Sequence, residues 1–349
     1  MAQSLSSQYI VTRDGARLSY YSIGNGPGLI ILHGSASYAL THQELALQLS
    51  PFYTVYLPSR RCRGLSDPYP ESLNKDGPLV EHKDNDDRDQ DSHMISVGEK
   101  SYRETYQPSF KSSLLAVEIS DLESLIASTG ASYLIGVSTG ALIILHSLLN
   151  AETQPWINQI ERIILFEPPL ICSDLHPSLD INGIGQYERD LAAKGEVSAL
   201  VTAMYTVQLG PIWIPRKIMD VLAWIGFTLA GRSGKGPKGP NGEDLGKCTL
   251  KDMAHIIRYD FAVVEGMIQD SKNFQTLNSR GRDLMLLQGE KTIEYMKEAM
   301  SILRKSAPNT THVNIPGVGH ELLVNSDMRG QPEKSIPHIR EFFSSNIGN

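Results

Sequence analysis

Cysteine is nearly absent. Cys62, Cys172 and Cys248 form an odd, widely spaced set with no CxxC pair, which encodes neither a disulfide framework nor a zinc knuckle. Such a chain suits a reducing compartment, and a cytoplasmic location is expected. Long apolar runs are also missing. The greasiest stretch, Ile212 to Leu229, is interrupted by Arg216, Lys217 and Asp220, short of the roughly 18 uninterrupted apolar residues that a membrane span needs, and it reads as an amphipathic helix. Met1 to Gln8 lack the basic start and apolar core of a signal peptide. Positive charge is not in excess: 32 Lys+Arg against 39 Asp+Glu give a net charge of −7, so nothing points to a nucleic-acid partner. HExxH is absent and no His/Asp cluster has metal-ligand spacing. Gly246-Lys247 resembles the end of a P-loop, but Asn241 and Cys248 stand where glycine and Ser/Thr belong. No metal and no cofactor are expected, and the expected partner is a small-molecule substrate. The oligomeric state is not encoded in any pattern.

What is present is an ordinary apolar fraction, 41% of 349 residues, enough for one large α/β domain with an insertion or for about two domains. Short apolar runs bounded by Gly and Pro occur at Gly28 to Gly34, Tyr53 to Pro58, Tyr133 to Gly136, Ile163 to Phe166, Leu284 to Leu287 and Val313 to Pro316. Helix-length segments separate most of them. This alternation predicts βαβ units and a mostly parallel sheet flanked by helices, in which ligands bind at the carboxyl ends of the strands.

Two stretches break the pattern. Between Lys75 and Lys100 eight acids face four bases, too much charge for too little apolar surface, and residues 70–111 are expected to form a mobile acidic excursion. Residues 170–277 lie between two strands and carry helical spacing at Ile218, Val221, Leu222, Ile225 and Leu229, a helical lid or cap. The core is thus expected in two parts, 1–169 and 278–349. In the lid, Trp213, Trp224, Met204, Met219 and Met253 either line an apolar pocket or pack lid helices on the core.

The chemistry centres on Gly136-Val137-Ser138-Thr139-Gly140, which follows a strand and precedes the helical run Ala141 to Leu145. A serine on a tight strand-to-helix turn is presented as a nucleophile, and the helix start beneath it offers free N–H groups to a developing oxyanion. His320, in Pro316-Gly317-Val318-Gly319-His320, follows the last strand, where a general base belongs in the chain order serine, acid, histidine. Gly34 and Ser35, after the Gly28 strand, are placed to form an oxyanion hole with the N–H of Thr139.

These motifs resemble the α/β-hydrolase family. The matches are His33-Gly34, Arg60-Arg61-Cys62-Arg63-Gly64-Leu65-Ser66, Gly136 to Gly140 and Gly317 to His320. The second is similar to the family's D-x-R-G-x-G-x-S segment, with Cys62 at a usual glycine and Ser59 where an acid often stands. The resemblance covers roughly residues 8–70 and 112–345. It implies a serine hydrolase acting on an ester or lactone, with a lyase, cyclase or acyltransferase and a ligand receptor as alternatives on the same fold. Relatives that open epoxides use an aspartate nucleophile, and Ser138 argues against that route. For the acid, the strand ending at Phe166 is followed by Glu167-Pro168-Pro169, an arrangement similar to that of zearalenone-type lactonases, where a glutamate stands there. The strand ending at Leu287 is followed by Gln288-Gly289-Glu290. Glu167 is preferred because two prolines stiffen its exit, whereas Glu290 has Lys291 beside it and a helical run after it, suiting a helix N-terminal acid.

Overall fold

Consecutive apolar residues are buried on both faces only when helices cover both sides of a sheet. The computed structural model, which describes residues 5–75, 94–97, 100–175, 179–209, 213–231, 238–240, 242–246, 248–280 and 283–345, has that architecture. Its strands are β1 (Ser6–Val11), β2 (Arg17–Ile23), β3 (Gly28–Leu32), β4 (Thr54–Pro58), β5 (Met94–Val97), β6 (Lys100–Arg103), β7 (Tyr133–Val137), β8 (Arg162–Phe166), β9 (Leu284–Gly289) and β10 (Thr311–Ile315). Its helices are α1 (Gln43–Leu49), α2 (Glu71–Lys75), α3 (Pro108–Thr129), α4 (Thr139–Leu149), α5 (Asn182–Lys194), α6 (Glu196–Thr206), α7 (Arg216–Gly231), α8 (Leu250–Gly266), α9 (Glu294–Ser306) and α10 (Ile336–Ser344).

Eight strands form one sheet in the order β1-β2-β4-β3-β7-β8-β9-β10. The pairs from β4 through to β10 are parallel, and β1 and β2 add an antiparallel edge. Alternation along each strand divides the interior in two. Ile30, Leu32, Leu134, Ile163, Leu165 and Leu286 pack toward α3, α4 and α8. Leu29, Ile31, Ile135, Val137, Ile164 and Leu287 pack toward α1 and α10, meeting Leu45, Leu49, Ile339 and Phe343. All six strands expected from apolar runs are present. The edge strands β1 and β2 escaped that criterion because they mix polar and apolar residues.

The segment 70–111, expected as an acidic excursion, falls partly among the described residues. Residues 76–93 and 98–99 lie outside the described residues; α2, the antiparallel pair β5 and β6, and the start of α3 are described, and Val97, Tyr102, Tyr106 and Phe110 are buried in the core. The helical segment 170–277 contains α5, α6, α7 and α8. In it α6 packs on both α5 and α7, and α8 packs on α3 and α4 of the main body as well as on α6 and α5. Among the described residues, no helix is long and apolar enough to cross a membrane.

Candidate active site

The carboxyl ends of β3, β7 and β8, the start of α9 and the loop after β10 meet around one cavity of about 300 Å³. Ser138 sits between β7 and α4 with φ 53° and ψ −121°, left-handed backbone that costs a non-glycine residue roughly 1–3 kcal/mol. The turn is held by Ser138 N–H donating to Phe166 O at 2.9 Å and by Ala141 N–H donating to Ser138 O at 2.8 Å. Both flanking glycines are needed for closeness. A Cβ at Gly136 would lie 2.6 Å from Ala141 Cα, and one at Gly140 would lie 2.3 Å from Leu32 O. The GxSxG pattern therefore records how tightly α4 is drawn against β3 and β7.

His320 Nδ1 is 2.6 Å from Glu167 Oε2. The Glu167 side chain is fully buried and satisfied by two further donors: Gly289 N–H to Oε1 at 2.7 Å and Thr292 Oγ to Oε2 at 2.7 Å. With the carboxylate accepting, the imidazole proton sits on Nδ1 and the Nε2 lone pair is left free. Phe166, just before Glu167, stacks on the His320 ring with centroids 5.7 Å apart and planes 12° apart. The end of β8 thus supplies both the acid and the aromatic wall of the histidine. The end of β9 supplies donors to that acid rather than an acid of its own. Glu290 is exposed and accepts from Gly317 N–H at 2.8 Å, tying down the loop that leads to His320. Thr292, Phe166 and Gly289 were not singled out in the sequence, and their only signal was proximity to strand ends.

Ser138 and His320 both line the cavity. Among the described residues no hydrogen bond joins them. Gly34 and Ser35 lie on the same wall. A Cβ at Gly34 would be 2.7 Å from Ser138 Cβ, and Ser35 Oγ is 2.5 Å from Thr139 Oγ1, so the two loops expected to share an oxyanion are in direct contact. The rest of the wall is mainly apolar, including Val137, Leu209, Phe261 and Met296. A second histidine, His42, also lines it. Its Nδ1 meets Leu323 O at 2.8 Å, and burial pulls its pKa down to about 4, so it is neutral at pH 7.

The tryptophans are placed otherwise than a pocket role requires. Trp213 is 82% exposed and Trp224 61% exposed, and the described lining of the cavity includes neither of them, nor Met204. A larger surface groove, about 450 Å³, runs between Leu170–Leu175 and α9. It holds no serine–histidine pair, so size alone does not mark the site.

No known family model matches the chain, and no curated protein matches its sequence. In three dimensions it is similar to an α/β-hydrolase from Sphaerobacter thermophilus DSM 20745, with a TM-score of 0.60, 19% identity, and coverage of 97% of this chain and 100% of that one. An esterase from Rhodococcus sp. ECU1013 is similar at TM-score 0.52 and 15% identity, covering 97% and 99%. An epoxide hydrolase from Vigna radiata is similar at TM-score 0.54 and 13% identity, covering 98% and 99%. At such identities the likeness is one of architecture alone, and this chain adopts the α/β-hydrolase fold.

Proposed function

We propose that this protein is a serine hydrolase that cleaves an ester or lactone bond of a small, largely apolar molecule through an acyl-enzyme. One convergence carries the reading: a serine at a strained strand-to-helix turn and a histidine hydrogen-bonded to a buried glutamate open onto the same apolar cavity. His320 Nε2 takes the proton of Ser138 Oγ as the oxygen attacks the substrate carbonyl, and Glu167 holds the imidazole in the required tautomer. The negative charge on the carbonyl oxygen is met by the N–H groups of Ser35 and Thr139, each such donor contributing roughly 3 to 4 kcal/mol to the transition state. The imidazolium returns its proton to the departing alkoxide, leaving an acyl-enzyme. Water then attacks, with His320 again as base, and the acid is released with Ser138 regenerated.

The fold is shared with an esterase and an epoxide hydrolase. A serine at the elbow favours the acyl route, and a mainly apolar wall favours an apolar substrate. Turnover of a panel of aryl esters and lactones in ¹⁸O-labelled water tests the reading. Hydrolysis puts the label in the released acid, whereas an unlabelled product identifies a lyase, cyclase or acyltransferase, and no turnover of any member favours a receptor. Ser138→Ala should lower kcat by a factor on the order of 10⁶, and His320→Ala by nearly as much, with the double variant scarcely worse because the pair acts as a unit.

A further inference from the structure

Beneath the cavity lies a cluster of charges removed from water. Arg60, Arg63, Glu118 and Asp260 are each between 0 and 3% exposed. Arg60 Nε donates to both Glu118 oxygens at 3.1 Å, and its Nη2 approaches Glu118 Oε1 at 2.5 Å. Its Nη1 donates to Asp260 Oδ1 at 2.8 Å, and Arg63 Nη2 reaches the same oxygen at 2.7 Å. Tyr69 donates its hydroxyl to Glu118. Two cations balance two anions, but exchanging such a cluster for apolar side chains is often neutral or stabilising. Stability is therefore a poor account of its presence. The family resemblance does not explain it either, because Arg60 and Arg63 occupy positions that D-x-R-G-x-G-x-S leaves free. Arg61, at the pattern's arginine, pairs elsewhere, with Asp121 and Asp14.

The loop after β3 is held at one end by the backbone N–H of Arg60 and at the other by the Asp260 side chain. Arg60 N–H donates to His33 Nε2 at 3.0 Å, and His33 Nδ1 in turn donates to Gly34 O at 2.9 Å. Burial and the Arg63 and Arg60 charges hold the His33 pKa well below 6.5, so the ring is neutral and can accept at one nitrogen while donating at the other. At the far end, Ala36 N–H donates to Asp260 Oδ2 at 3.4 Å. Ala36 has φ 49°, a conformation that persists only where its surroundings impose it. Ser35 lies between the two grips.

We propose that Asp260, held by Arg60 and Arg63, is a positioning residue that fixes the Gly34–Ala36 loop so that the Ser35 N–H is aimed at the developing oxyanion. This role rests on the acyl-transfer reading of the site. It also gives α8 a part in the reaction, because that helix carries Asp260 from the end of the helical segment to the oxyanion side of the cavity.

The test counts active sites with a fluorophosphonate that labels Ser138, then measures kcat per labelled site and KM for an aryl ester. Asp260→Asn should lower kcat per site ten- to a hundredfold with KM within threefold, the signature of an interaction made only in the transition state. Glu118→Gln removes a charge from the same cluster on the side away from the loop, and should lower the melting temperature while keeping kcat per site within threefold. If Asp260→Asn does not fold, Arg60→Lys, which keeps the charge but loses the fork that joins Glu118 to Asp260, should lower kcat per site at least fivefold. A kcat per site within twofold of wild type in whichever of the two folds overturns the proposal, as does an equal loss in Glu118→Gln. If the wild type turns over the ester and is labelled, such a result removes the positioning role alone. If the wild type does neither, the acyl-transfer reading falls and the role falls with it.

Discussion

Glu167 and Glu290 each follow a strand of the sheet, and chain order satisfies a triad with either. What separates them is the number of donors each meets. Glu167 is buried and accepts from His320, Gly289 and Thr292, while Glu290 is exposed and spends one oxygen on the backbone of Gly317. An amide at 167 keeps the shape but presents an N–H₂ either to the Gly289 N–H or to the Thr292 and His320 donors, so the tautomer of His320 is no longer enforced. Glu167→Gln should lower kcat by roughly 10³ to 10⁴, as mispairing of the histidine does in other triads. Glu290→Gln retains an acceptor for Gly317 and should cost less than tenfold. Steady-state kinetics on both folded variants decides the matter, and the reverse ranking would move the triad to Glu290.

Among the elements, α7 departs most from expectation. Its helical spacing is present, but Ile218, Val221, Leu222 and Ile225 are all exposed, and Met219 is buried. An apolar stripe therefore does not identify the face that packs here, because α6 meets the helix on another side. Replacing Trp213 or Trp224 with Ala should leave KM for an aryl ester within twofold and stability within about 0.5 kcal/mol, the range of surface changes. Phe261→Ala, in the cavity wall on α8, should raise KM severalfold and, as a buried aromatic truncation, cost about 3–5 kcal/mol. Urea midpoints measured beside the kinetics separate the two effects. A large KM change at Trp224 would show that α7 closes over the cavity when substrate binds.

For the whole molecule, the pH dependence of stability follows from histidines buried without charge. His42 titrates at about 4 when folded, depressed by burial, and near 6.5 when unfolded. His33 is lowered in the same direction by burial and by Arg63 and Arg60. Between the two pKa values the unfolded chain binds the proton and the folded chain does not. Stability is therefore full above about pH 6.5 and falls as pH drops toward 4, by an amount on the order of 3 kcal/mol for His42. Urea unfolding at pH 7.0 and 4.5 should show the decline in wild type and a shallower one in His42→Gln. An equal decline in both proteins would assign the acid sensitivity to other groups.

Much of this architecture was legible along the chain because its signals are local. A run such as Ile163 to Phe166 can be buried on both sides only in a parallel sheet, and Gly136 and Gly140 mark the tight elbow at Ser138 whatever surrounds it. His320 was legible from its place after the last strand. What tertiary structure decided are the matters in which distant segments compete for the same space or charge. That Glu167 and not Glu290 meets Gly289, Thr292 and His320 is a contact spread over more than 150 residues of sequence. That Val97, Tyr102, Tyr106 and Phe110 are buried in the core depends on partners distant in sequence. The face of α7 depends on what its neighbours leave uncovered. The Arg60–Asp260 contact joins a turn after β4 to α8, and no local pattern announces that two arginines in that turn will be buried beside the loop after β3.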